Sequence, residues 1–497
     1  MIFKRFYDDN LAQASYMIGC ETTREAIVVD PTLDTGQYVR AAGGERLKIT
    51  HVSETHIHAD FVSGARALAD TTGGELHLSS LGGRAFGYKD TVFQSASRLK
   101  DGSEIVVGNV LLKALHTPGH TPEHVSFLVS DLQRGPDAVG ALTGDFIFVG
   151  DVGRPDLLER AAGAAGTMES SARELFASLR KFRRLPDHLQ LWPGHGAGSA
   201  CGKALGAMPQ TTLGYEKLFN WAFATSSEAD FVAKVLEDQP VPPRYFAEMK
   251  QINRDPPSRR PQPEPKRLSQ SEVESALSRG SRLLDTREAA RFAAGHIPGA
   301  LNVPYNKSFL NWAGALIPAE TTLVIVTDAD GDEALTAIGE NLKKIGRTQI
   351  AGFCGTEIVQ EWKSKGSPLE QTPSVRPADV QTMRGRRAQI VDVRAPDEWR
   401  RGHIEGAIHI PLAALPDRIG EIDTSLPVVL HCKGGGRSAI ATSFLQSRGV
   451  TTAANLEGGY ERWVKEGFDV VIDATPSTRK RRTKKAAASA TRKKARK

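Results

Sequence analysis

The stretch LLDTREAARFAAGHIPGALNVPY (residues 283–305) returns as IVDVRAPDEWRRGHIEGAIHIPL (residues 390–412), at a constant offset of 107 residues. Each copy opens on a short apolar run ending in Asp-x-Arg (Asp285 and Arg287; Asp392 and Arg394) and reaches Gly-His-Ile ten residues after the aspartate. Each then leads to a second apolar run, TLVIVTD or PVVLHC, and a helical stretch. Alternating short β-runs and helices are the parts of a layered α/β unit. A period above 100 residues marks duplication of a whole domain, since solenoid periods run to about 20–50 residues. Two tandem α/β domains are therefore expected, over 268–371 and 372–475.

With 497 residues the chain has room for about three domains. Before the repeat, the first 235 or so residues alternate β-rich runs (AIVVD, RLKITHV, EIVVG, VSFLVS, LQLWPGH) with Ala-rich helical stretches, which predicts a further α/β domain over 1–250. The Pro-rich, charged segment RDPPSRRPQPEPKRL then reads as a linker over 251–267. At the other end, RKRRTKKAAASATRKKARK carries eleven Lys/Arg and no acid, so against a net charge of +6 the rest of the chain is mildly acidic. This basic tail, 476–497, is a polyanion-binding candidate through phosphate neutralisation; a solvated, disordered extension is the plainer expectation. No run approaches the roughly 18 apolar residues of a membrane span, and MIFKRFYDDNLAQASYMI does not read as a signal peptide. Cys20, Cys201, Cys354 and Cys432 lie far apart with no CxxC pair, as free thiols of a reducing compartment do. A cytoplasmic, homo-oligomeric protein with no membrane contact is expected.

The chemistry begins at ETHIHADFVSG (residues 54–64), which runs on from the strand RLKITHV and so places His56, His58 and Asp60 on a loop at a strand end. Three more fragments, LLKALHTPGHTPEH, GALTGDFIFVGDVGRPDL and LQLWPGHG, bring His120, Asp145 and His195. A lone histidine is more often packed than ligating, but four Gly-flanked His/Asp fragments behind apolar strands are hard to obtain by accident. His116 and His124, which flank His120, read as hydrogen-bonding neighbours, and His51 as a packed strand residue.

The set T-H-x-H-A-D, T-P-G-H-T, T-G-D and P-G-H, over roughly residues 1–250, resembles the metallo-β-lactamase superfamily. Within it the persulfide dioxygenase family is most similar, with glyoxalase II as a near relative. The resemblance implies an αββα sandwich and one Fe(II) per chain on His56, His120 and Asp145, with zinc as the alternative metal. In dinuclear members a histidine after the motif aspartate helps hold a second ion; here that residue is Phe61, which has no lone pair to give. A second site would keep Asp60, His195 and a share of Asp145. One ion is therefore expected, with His58, Asp60 and His195 as hydrogen-bond partners or remnants of a second site. Two imidazoles and a carboxylate with open positions suit non-haem Fe(II) and O₂ chemistry. By the same resemblance Arg154, in VGRPDL, is expected to contact the thiol carrier of the substrate. Cys201, six residues after His195, reads as a sulfur relay or a plain buried thiol.

The second repeat carries a different site. Its strand VVLHC ends at Cys432, followed by Lys433, Gly434, Gly435, Gly436 and Arg437, and Ser438 opens a helix. Three glycines let successive N–H groups turn inward, and the helix N-terminus adds positive potential, so the loop suits a sulfur anion. Asp-x-Arg, Gly-His-Ile and Cys-x-x-Gly-x-Arg-Ser over 372–475 resemble the rhodanese family. That implies a persulfide formed on Cys432 and passed to a nucleophile, with Arg437 and the residues from Lys433 to Ser438 binding the substrate. The related phosphatases have a loop one residue longer. In the first repeat, aligning VIVTD with VVLHC puts Asp328 in place of Cys432 and Glu333 in place of Arg437, which predicts a degenerate rhodanese-like domain acting as a spacer or docking module.

Taken together, the chain resembles multidomain persulfide dioxygenase–sulfurtransferases. The resemblance implies oxidation of a small thiol persulfide by O₂ to sulfite and thiol, with sulfur transfer forming or using thiosulfate, in sulfide detoxification. Two other readings stand beside it: a zinc-dependent thioester hydrolase of glyoxalase II type, and a polyanion-binding protein directed by its tail.

Overall fold

The computed structural model describes residues 1–160, 163–203, 205–255, 265–328, 332–385 and 387–472, without the side chains of 332–334. The basic tail and most of the Pro-rich linker lie outside these residues. Strands Ile2–Asp8, Gln13–Gly19, Glu25–Val29, Lys48–Ser53, Glu75–Ser79 and Ala96–Leu99 (β1–β6) form one sheet in sequence order. Glu104–Val107, Val110–His116, Val125–Asp131, Ala138–Gly144, Gln190–Pro193 and Thr211–Thr212 (β7–β12) form a second. Strands such as β2, QASYMIG, are buried throughout because both faces of each sheet are covered. Between the sheets pack Tyr16, Ile27 and Val29 from one and Leu112, Phe127 and Leu142 from the other. Outside the first sheet, helix Ala65–Thr72 sets Leu68 on Val28, Val52 and Leu76. Outside the second, helix Thr167–Phe182 sets Leu175 and Leu179 on Ala141 and Leu191. This is the expected αββα sandwich.

The internal repeat appears as two sheets of one topology. Lys266–Arg267, Arg282–Asp285, Leu301–Asn302, Leu323–Val326 and Ile350–Cys354 (β13–β17) run in the order β13-β17-β16-β14-β15. Ser374–Val375, Gln389–Asp392, Ile408–His409, Val428–His431 and Ala453–Leu456 (β18–β22) run in the order β18-β22-β21-β19-β20. The repeated Asp-x-Arg has a structural cause. The Arg394 guanidinium binds Asp392 (2.6 Å) and donates to the carbonyl of Gly402 (2.8 Å), and Arg287 does the same with Asp285 (2.6 Å) and Gly295 (3.2 Å). The ten-residue spacing from Asp to Gly is thus the span that one buried ion pair closes.

Residues 251–254, expected to open the linker, instead complete helix Tyr245–Arg254, which is docked and largely buried through Tyr245, Phe246, Met249 and Asn253. One apolar cluster runs from Phe61, Phe148 and Cys201 through that helix to Phe309, Leu342 and Ile345 of the middle domain, and on to Leu430 and Cys432.

Candidate metal centre and thiol loop

The ends of β4, β8, β10 and β11 converge and bring the four sequence fragments to one point. The donor atoms of His56, His120 and Asp145 all lie within 4.8 Å of one another. Asp145 Oδ2 stands 3.5 Å from His120 Nε2 and 3.9 Å from His56 Nε2. Its other oxygen, Oδ1, stands 3.5 Å from His195 Nε2, which is itself 3.3 Å from Asp60 Oδ2. All five residues are buried. Gly194 of the PGH motif is needed for this approach, because a Cβ there would sit 2.8 Å from Asp145 Oδ1.

Hydrogen bonds on the far side of each ring fix which nitrogen faces inward. His120 Nδ1–H donates to the Arg154 carbonyl (3.0 Å) and His195 Nδ1–H to the Ala12 carbonyl (3.0 Å). The Thr55 hydroxyl donates to Asp30 Oδ2 (2.9 Å), so Thr55 Oγ1 accepts from His56 Nδ1–H (2.9 Å). Each ring therefore turns a bare Nε2 lone pair to the centre, the arrangement that metal-ligating histidines adopt. Burial, reinforced by neighbouring imidazoles, holds His56 and His120 well below the usual histidine range, so both are neutral donors. Burial pushes the Asp145 carboxyl up to about 6.

The centre also fits a cation by its unmet demands. Both oxygens of Asp145, both of Asp60 and Nε2 of His195 are buried without a hydrogen-bond partner among the described residues. Such orphaned groups are costly unless something compensates them, and a divalent ion is a partner that these donors suit.

The surrounding residues sort differently from the sequence reading in several places. His58 is anchored from behind, its Nε2 3.1 Å from Asp30 Oδ1, while its Nδ1 is buried without a hydrogen-bond partner among the described residues. Burial opposes its charge, but the Asp30 carboxylate and this hydrogen bond raise it to about 9. His124 accepts from the Asp145 backbone N–H (3.2 Å) and binds Thr117 (2.8 Å), so it positions the carboxylate. Arg154, expected to meet the substrate, is engaged within the protein. It is fully buried, with its guanidinium spent on Asp156 (2.8 and 2.7 Å), Ala200 O (3.1 Å) and Pro240 O (2.6 Å). Its contribution is to pin the loop before Cys201 and, through its carbonyl, to orient His120.

Cys201 lies at the opposite corner, its sulfur within 4.8 Å of donors from Asp60 and His195. Burial, then Asp60 and Asp145, push this thiol well above the usual range. Phe61 is fully buried, its ring 4.4 Å from that of His58. Sequence reasoning missed the Tyr245–Arg254 helix, which roofs the site. There Asn253 donates to the carbonyls of His58 (2.8 Å) and Phe61 (2.7 Å), and Tyr245 is buried where Asp60 and Cys201 act on its hydroxyl. Its signal was present in PVPPRYFAEMKQINR: a proline pair followed by apolar residues at helical spacing.

The C-terminal site brings Cys432, Gly435 and Ser438 together as predicted. Cys432 is buried at the end of β21, and its sulfur accepts from Gly435 N–H (3.1 Å) and faces the Ser438 hydroxyl (3.5 Å). Gly435 has φ of 103°, a left-handed conformation that other residues rarely adopt, and it turns that N–H inward. Arg437 is not a free charge at the rim, since both its terminal nitrogens bind Glu398 (2.6 and 2.8 Å). Lys433 points away toward Glu461 (3.5 Å). In the middle domain the strand register corrects the alignment by one residue. Asp285 pairs with Val326 as Asp392 pairs with His431, so Thr327, not Asp328, stands where Cys432 does. Asp328 is ion-paired with Arg291 (3.1 Å). The loop at 329–331 and the Glu333 side chain lie outside the described residues. A threonine cannot carry a persulfide, so the domain lacks the nucleophile under either alignment.

Fold and sites define a buried His/Asp metal-centre domain joined to a duplicated α/β unit with one thiol loop. Comparison with known proteins gives the family. The metallo-β-lactamase superfamily model matches residues 8–195, and the rhodanese-like domain model matches residues 269–355 and 376–466. A solved metallo-β-lactamase from Staphylococcus aureus subsp. aureus COL is 42% identical, with a TM-score of 0.66, over 71% of this chain and 99% of that one. The chain belongs to the metallo-β-lactamase superfamily and carries two rhodanese-like domains behind that fold. Persulfide dioxygenase ETHE1, mitochondrial, of Bos taurus is 28% identical over 200 residues, 39% of this chain and 68% of the relative. Thiosulfate sulfurtransferase GlpE of Stutzerimonas stutzeri (strain A1501) is 35% identical over 89 residues, 18% of this chain and 82% of the relative. The chain spans 62% of the length of another curated relative, which it matches at 46% identity over 78 residues.

Proposed function

We propose that the first domain is a mononuclear iron persulfide dioxygenase and that the last is a rhodanese working on the same sulfur pool. The observation that carries the first half is the triad His56, His120 and Asp145, with both imidazoles neutral and inward-facing and an unpartnered carboxylate. Its likeness to a persulfide dioxygenase supports the substrate class. Fe(II) held by this triad would supply O₂ activation and oxygen transfer to a sulfur anion. The chain's own part is to orient the ligands through Thr55, Arg154 and His124 and to close the centre to bulk water with Phe61 and the Tyr245–Arg254 helix. In the last domain, Cys432 takes a sulfane sulfur from a donor such as thiosulfate, releasing sulfite, or passes it the other way. The Gly435 N–H and the Ser438 hydroxyl hold the sulfur charge.

Anaerobic purification, metal analysis and O₂ uptake with a small-thiol persulfide test this reading. One iron per chain and O₂-dependent sulfite are expected; two zinc ions and no O₂ uptake would overturn it. Replacing Cys432 by serine should abolish sulfur transfer and leave O₂ uptake within about twofold, because the two sites share no residue.

A specific observation favours a second reading, a dinuclear hydrolase. Asp60, His195 and Cys201 form a second donor cluster beside the first, with a sulfur in place of the missing histidine. Metal stoichiometry in Cys201→Ser separates the readings: loss of a second ion supports the hydrolase, and an unchanged single iron supports the dioxygenase.

A further inference from the structure

Strands β4 and β5 carry a cluster that neither site uses. Their register sets His51 opposite Glu75 and Ser53 opposite His77. His51 Nδ1 and His77 Nε2 are 3.0 Å apart, and His77 Nε2 is 3.9 Å from Glu75 Oε2. One donor atom from each residue lies within 4.8 Å of the others. The pocket grades outward from a buried His77 through a half-buried His51 to an exposed Glu75. Ser97 donates to the Glu75 carboxylate and steers it, while Ser53 ties its hydroxyl to the His77 carbonyl (2.9 Å).

We propose that His51, Glu75 and His77 form a separate metal site for a late first-row divalent cation such as Zn(II) or Co(II). Two nitrogens 3.0 Å apart, each about 2.0–2.1 Å from a shared ion, subtend roughly 91–97° at it, near an octahedral cis angle. One proton now lies between the two rings. Binding moves it to the far nitrogen of whichever ring carries it, a tautomer change that leaves both imidazoles neutral. Burial favours that neutral state, lowering His51 and taking His77 to about 4. Glu75, on an exposed side chain, has the freedom to close the remaining distance. Two imidazoles and one carboxylate select cations that favour nitrogen over the all-oxygen shell preferred by Mg(II) or Ca(II).

The test titrates the iron-loaded full chain with Co(II), read by its visible absorption, and with Zn(II), read by calorimetry, and measures retained iron afterwards. One added equivalent is expected with iron undisturbed. Glu75→Gln, an exposed change that leaves the core intact, and His77→Gln should each weaken that equivalent roughly tenfold or more while O₂ uptake stays unchanged. Equal binding in both variants overturns the proposal. So does an added equivalent that Asp60→Asn removes and His77→Gln spares, because that places the ion at the His195 corner.

Discussion

At the scale of single residues, the centre is held by groups that touch its ligands from behind. Asp30 serves two of them: it accepts from Thr55 and is ion-paired with His58. Because the His58 pKa is raised from 6.5 to about 9, the pair stabilises the fold in full below about pH 6.5 and loses that contribution as pH rises through 9. Replacing Asp30 by asparagine should therefore flatten the fall in melting temperature between pH 6.5 and 9. It should also lower stability at pH 6 by on the order of 2–3 kcal/mol; an unaltered pH profile would show that His58 is not the titrating group. That His56, His120 and Asp145 come together was legible in the sequence, since each sits in a glycine-flanked motif behind an apolar strand. What a side chain does with its other end was not. Arg154 stands in the right motif, yet two carbonyls and Asp156 consume it, and Cys201 reaches the centre through a fold of the chain that spacing cannot report.

At the scale of elements, the loop carrying His56, His58, Asp60 and Phe61 is stiffened by two pieces of chain far from it in sequence. Asn253, on the Tyr245–Arg254 helix, donates to the His58 and Phe61 carbonyls and accepts from the Ser63 N–H (2.9 Å). Val62 N–H donates to the carbonyl of Lys344, at the end of helix Asp332–Lys344, and the Lys344 ammonium binds Asp8. Replacing Asn253 by alanine strands two buried carbonyls and one N–H, a loss of about 2–4 kcal/mol. Iron content after dialysis should fall with it, whereas a variant that loses stability but keeps its iron would confine Asn253 to the scaffold. Residues 251–254 read as the start of the linker because the Pro-rich run after 255 follows them directly, and the proline pair at 242–243 leaves only ten helical residues between the two breaks. Local composition marked the breaks correctly but could not show that the short element between them docks.

At the scale of the whole molecule, the duplicated pattern announced two equal domains, and the matching strand orders of β13–β17 and β18–β22 bear this out. The pattern did not show that the copy without a cysteine at the loop position is packed and hydrogen-bonded to both of its neighbours. Its Lys344 carbonyl holds the metal loop on one side. On the other, its Asn302 exchanges hydrogen bonds with Ser443 (3.0 and 3.3 Å) on helix Gly436–Gln446, which opens from the thiol loop. The apolar cluster passing through Phe61, Tyr245, Phe309 and Leu342 makes that contact a buried interface. Chain truncation tests this arrangement. A chain ending at residue 264 would expose Phe246, Met249 and their neighbours to water, at about 1.5–3 kcal/mol for each large side chain, so it should self-associate and bind iron poorly. A chain ending at residue 371 keeps the interface, and should retain iron and O₂ uptake while losing sulfur transfer with Cys432. Size-exclusion chromatography with metal analysis reads both, and a monomeric, fully iron-loaded 1–264 chain would show that the middle domain only spaces the two sites. On this account the middle domain, though it lacks a cysteine at the loop position, sets the geometry of both neighbours at once.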